Sequence, residues 1–75
     1  MIEAFMKPPK PKFLRGTLVQ GFPFASDYVQ HPLMGVVICE SHRSNWRGDT
    51  YTRWYKILAE NGKIVEEVEK YLDAI

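Results

Sequence analysis

The dipeptide Asn61-Gly62, set between Ile57-Leu58-Ala59-Glu60 and Lys63-Ile64-Val65-Glu66, constrains this chain more than any other feature. Both residues tolerate positive φ, as a two-residue type I′ turn requires, so the pair predicts a tight β-hairpin between two short strands. The residues leading into it alternate. Tyr51, Arg53, Tyr55 and Ile57 fall on one face, and Thr52, Trp54, Lys56 and Leu58 on the other. Further upstream, Met34-Gly35-Val36-Val37-Ile38-Cys39-Glu40-Ser41 is β-branched and nearly all apolar, the pattern of a strand central to a small barrel. Thr17-Leu18-Val19-Gln20, after Gly16, predicts a first strand.

The connections read as loops. Gly21 to Leu33 mixes Pro23, Pro32, Ser26 and Asp27 with aromatic residues and predicts a long irregular loop with anchored side chains. Ser41 to Asp49 is polar, contains Ser44-Asn45 and Gly48-Asp49, and predicts a hairpin loop. The end of the chain admits two readings. Val65, Val68, Leu72 and Ile75 have the spacing of a short amphipathic helix. The preferred alternative is a strand through Val68, one turn of 3₁₀ helix at Glu69-Lys70-Tyr71, and a last strand at Leu72 to Ile75. Five short strands with one long loop can then close into a barrel and remove their exposed edges. The expected fold is therefore an all-β, five-stranded SH3-like barrel over residues 13–75, preceded by an extended arm over residues 1–12.

The arm contains Pro8-Pro9-Lys10-Pro11, whose prolines remove backbone donors and favour polyproline II. Phe5 and Met6, ahead of it, are apolar residues expected to order against a partner. At 75 residues there is room for one domain, which buries only about 60% of its unfolded surface. Cys39 is the single cysteine, so no internal disulfide reinforces it, and a reducing compartment or a larger assembly is expected. No apolar run approaches the roughly 20 residues that span a bilayer, and the N-terminus lacks the order of a secretory signal. Charge is uneven. Residues 1–15 carry net +3, residues 40–56 net +2 and residues 57–75 net −3, which suggests orientation within a complex.

The order Gly16-Thr17-Leu18-Val19, long loop, Met34-Gly35-Val36-Val37-Ile38-Cys39-Glu40, polar hairpin, Arg53-Trp54-Tyr55-Lys56-Ile57-Leu58 is followed by Asn61-Gly62-Lys63-Ile64-Val65-Glu66 and Tyr71-Leu72-Asp73-Ala74-Ile75. It resembles the small SH3-like (KOW- or Tudor-like) barrels found among uncharacterised proteins of tailed phages, cyanophages especially. The match covers residues 13–75, and its motifs describe barrel construction, not a ligand. The Gly21–Leu33 loop carries more aromatic residues than that pattern, and Trp46 and Trp54 precede the Asn-Gly turn. The resemblance implies a non-enzymatic interaction or assembly protein acting in the virion or the host cytoplasm; it brings no catalytic residues and no cofactor.

Candidate contacts follow from residue type. The segment His42 to Tyr55 sets Arg43, Arg47 and Arg53 among Trp46, Tyr51, Trp54 and Tyr55. Trp, Tyr and Arg dominate protein-binding hot spots, while arginines between aromatic residues can also hold single-stranded nucleic acid. Protein contact is the lead expectation and a nucleic-acid-binding module the alternative. Part of this aromatic set must be core in so small a domain, and Trp46, in a polar stretch, is the better exposed contact. Phe22, Phe24 and Tyr28 occupy the loop where SH3-type domains build a peptide groove; the competing role is to plug the barrel end. Cys39, His31 and His42 lack the ligand number and spacing of a zinc site, and Cys39 in an apolar strand reads as a small buried hydrophobe. Arg47-Gly48-Asp49 reads as a turn.

Overall fold

The structure, a computed structural model, describes residues 7–21 and 33–75. Along the chain lie β1 (Leu18–Gly21), β2 (Leu33–Glu40), β3 (Asn45–Arg47), β4 (Thr50–Thr52), β5 (Trp54–Ala59) and β6 (Ile64–Val68). A 3₁₀ turn (Glu69–Tyr71) and β7 (Leu72–Ala74) complete it. The described chain is mostly β. Five strands form one antiparallel sheet in the order β6-β5-β2-β1-β7, and β3 and β4 form a separate two-stranded ribbon. The apolar run at 33–40 is the central strand of the sheet, as its β-branched composition demands.

Period-two alternation assigns the faces. Val19, Val37, Tyr55, Ile57 and Leu72 point inward and, with Phe13, make the buried cluster, against which Leu33 and Val65 pack. Full burial of a Val or Ile side chain is worth about 1.5–3 kcal/mol, so this short list carries most of the apolar stabilisation. Phe13 meets the Tyr55 ring edge-on, with centroids 5.6 Å apart. Gly35 and Gly21 also fall on the inner face. A Cβ at Gly35 would press into the Leu58 carbonyl and the Ile57 side chain, and one at Gly21 into the Tyr71 carbonyl. Glycine at these two points lets neighbouring backbone and side chains close in.

Three local expectations change. The Asn61-Gly62 hairpin exists, but its turn is not type I′, because only Gly62 has positive φ (86°). The Gly62 N–H donates to Ala59 O at 2.9 Å and the Ala59 N–H to Lys63 O at 2.8 Å. This is a turn through Glu60 and Asn61 followed by a glycine in the left-handed region. The Asn61 side chain is free to accept from the Lys63 N–H at 3.0 Å. Second, the register of β2 against β5 shifts between Val37 and Cys39, placing a bulge at Ile38. An unbroken alternation would bury Cys39 with Val37; the extra residue turns it outward, and its side chain is exposed. Third, the polar loop at 41–49 contains β3, and the alternating run from Thr50 is cut at Arg53 into β4 and β5. The end of the chain keeps the preferred reading, a strand through Val68, a 3₁₀ turn at Glu69–Tyr71 and a last strand from Leu72.

Candidate functional site

Arg43, Asn45, Arg47, Thr52 and Trp54 line an open groove of about 290 Å³ where the β3–β4 ribbon meets the sheet. Two serines brace the backbone next to it. The Ser41 N–H donates to Trp54 O at 2.8 Å, and the Trp54 N–H donates to Ser44 Oγ at 2.8 Å. Ser41 Oγ accepts from the Arg43 N–H and donates to Glu66 Oε2 at 2.9 Å. These short hydroxyl side chains bond backbone that the sheet leaves unpaired, which is why a polar segment folds tightly here.

Arg43 lies over the Trp54 ring, 4.4 Å from its centroid, and pairs with Glu66 at 3.4 Å. The Ser41 hydrogen bond, helped by Arg43, holds the Glu66 carboxyl below its ordinary range. Arg47 is exposed at the ribbon's tip, beside the turn made by Gly48 (φ 62°), and forms no ion pair with the described residues. The ribbon is held by Trp46 opposite Tyr51, ring centroids 5.1 Å apart. Trp46 is half-buried in this pair.

Arg53 is placed differently from its two neighbours. Its side chain is 4% exposed and points to the inner side of the sheet. Nε lies 3.2 Å from Glu40 and Nη1 3.8 Å from Glu69, while Nη2 donates to Pro9 O at 2.6 Å. Nε and Nη1 are held by charge, not by formed hydrogen bonds. The Tyr51 ring lies 5.2 Å from the guanidinium. Expected as a surface contact, Arg53 is instead an internal clamp. The alternation that put it with Tyr55 and Ile57 was the signal for this.

Around it sits a polar cluster. Tyr55 donates through its hydroxyl to Glu69 and accepts from the Phe13 N–H at 3.2 Å; Glu69 also accepts from the Lys12 N–H at 2.9 Å. Burial, reinforced by Glu69, pushes the Tyr55 phenol up to about 12. Burial opposes ionisation of Glu40, but hydrogen bonds from Tyr51 and Ser44 and the charge of Arg53 outweigh it and hold its carboxyl low. Glu67, buried opposite Tyr55, is pushed up by burial, offset in part by the Val68 N–H. Residues 9–13, part of them expected to lie outside the fold, are thus tied to it at Pro9, Lys12 and Phe13.

Phe5, Met6, Phe22, Phe24, Tyr28 and His31 lie outside the described residues. Among the described residues no group of three or more His, Cys, Asp and Glu side chains is placed to hold a metal ion. No described helix is long and apolar enough to cross a membrane. Comparisons with protein-family models, curated proteins and solved structures gave no match.

Proposed function

We infer that this chain is a non-enzymatic protein-interaction module on an SH3-like barrel, and that its ribbon groove takes an acidic segment of a protein partner. The strand order β7-β1-β2-β5-β6, with a 3₁₀ turn between β6 and β7, supports the barrel reading. The resemblance to tailed-phage proteins extends this to an accessory protein of the virion or a binder of a host protein in the host cytoplasm.

The observation that carries the reading is the groove itself. Arg47 offers a guanidinium with no ion-pair partner among the described residues, beside Asn45 and Thr52, while Arg43 is already stacked and paired. One free arginine with neutral donors suits a carboxylate. Nucleic acid fits less well. Stacking a base needs an open aromatic face, and here Arg43 lies over Trp54 while Trp46 packs on Tyr51.

An array of short random peptides probed with the wild-type chain and with Arg47→Glu tests this. Acidic peptides should be retained by the wild type and lost with Arg47→Glu. Fluorescence anisotropy with oligothymidylate at low salt is the counter-test. Binding there that weakens steeply with salt would replace this reading with a nucleic-acid-binding one.

A further inference from the structure

The outer face of the sheet carries a straight apolar row. Leu18 pairs with Val36, Val36 with Leu58, and Leu58 with Ile64. The Ile75 N–H donates to Leu18 O, which extends the row past the end of β7. The order across the sheet is Ile75, Leu18, Val36, Leu58, Ile64, and each is between 38% and 62% exposed. Four inter-strand steps make it about 19 Å long. Scattered exposed apolar residues need no explanation, but a register-aligned row crossing the whole sheet does.

We propose that this face binds a second copy of the same chain, the two sheets packing face to face about a two-fold axis that runs along the row. Charge placement along β5 and at the residue just past its end selects this occupant. Lys56 and Glu60 stand two residues before and two after Leu58, and neither forms an ion pair with a described residue. Glu60 keeps the ladder register, its N–H donating to Met34 O at 3.1 Å. Glu66, across from Lys56, is engaged by Ser41 and Arg43. The axis reverses strand direction, so each row residue meets its own copy, and Lys56 lies over Glu60 of the second copy. By symmetry the pair forms twice. Aligned sheets pack about 10 Å apart with their strands within about 30°, which the row permits. The small area predicts a weak dimer, with dissociation in the micromolar range.

Sedimentation velocity of the full chain from about 1 µM to 1 mM measures it. The wild type should shift from one chain to two, and Val36→Lys, with an unchanged circular dichroism spectrum, should stay monomeric. Lys56→Glu and Glu60→Lys should each weaken association about tenfold, since each sets like charges together twice, and the double variant should restore it. Arg47→Glu should leave the dimer intact, which separates this face from the groove. A wild type that stays monomeric, a folded Val36→Lys that still dimerises, or a double variant no better than the singles would each overturn the proposal. Should Val36→Lys fail to fold, the charge-swap series decides alone.

Discussion

The two faces of the central sheet are almost equally apolar in sequence and entirely different in environment. Val19, Val37 and Ile57 are at most 2% exposed, while Leu18, Val36 and Leu58, each the immediate neighbour of one of them, are 38–46% exposed. Hydrophobicity therefore does not tell inside from outside here. What separates the faces is what accompanies the aliphatic residues. The inner face has glycine where backbone closes in, and the phenol of Tyr55 with a carboxylate to accept its hydrogen bond. The outer face has Lys56 beside Leu58, on a side of the strand that stays open to solvent.

The contrast is broken most directly by truncating neighbours. Ile57→Ala should cost about 3–4 kcal/mol in urea unfolding, because a filled inner site becomes a cavity. Leu58→Ala, measured at low protein concentration, should cost about 1 kcal/mol or less. Equal losses would mean that the faces are not distinct.

A pH series comes next. With Tyr55 near 12 in the folded state and about 10 unfolded, the folded chain holds this proton the longer. Its contribution is complete below pH 10 and declines between pH 10 and 12, by about 2–3 kcal/mol in all. Thermal melts should show that decline, and Tyr55→Phe should remove it.

Arg53→Ala should cost about 2 kcal/mol, less than for a fully buried pair, because Glu40 and Glu69 are part-exposed and can be rehydrated. Hydrogen exchange should then speed up at the Lys12 and Phe13 amides. Gly35→Ala should cost about 3 kcal/mol or more. The added Cβ would meet the Leu58 backbone carbonyl as well as the Ile57 side chain, and backbone in the central sheet cannot move aside cheaply. The same substitution at Gly48, with open space around it, should be felt only through its backbone angle.

Much of the sheet was legible before any coordinates. Alternation placed Arg53, Tyr55 and Ile57 on one face, and the chain end resolved as strand, 3₁₀ turn and strand because Leu72 has an inner-face site beside Gly21. Where legibility failed, a single residue was responsible. One extra residue at Ile38 reverses the side on which Cys39 lies, and no composition rule announces a bulge. Asn61 kept negative φ and left the positive angle to Gly62, so the same dipeptide built a wider turn. For Arg53, two rules competed. Arginine usually stays exposed, but the strand period demanded burial and prevailed, with two carboxylates and a backbone carbonyl in place to receive the charge. At the groove, the arginines were visible as a cluster, but the serine bonds that shape it depend on contacts ten or more residues apart.

Because Arg53 touches Pro9, Glu40 and Glu69 at once, three stretches distant in the chain answer to a single side chain. The N-terminal segment, the strand leading into the ribbon and the closing 3₁₀ turn cannot drift apart one at a time. Removing that one guanidinium takes away a hydrogen bond to the arm and both ion pairs at once, while the aliphatic interior keeps its contacts.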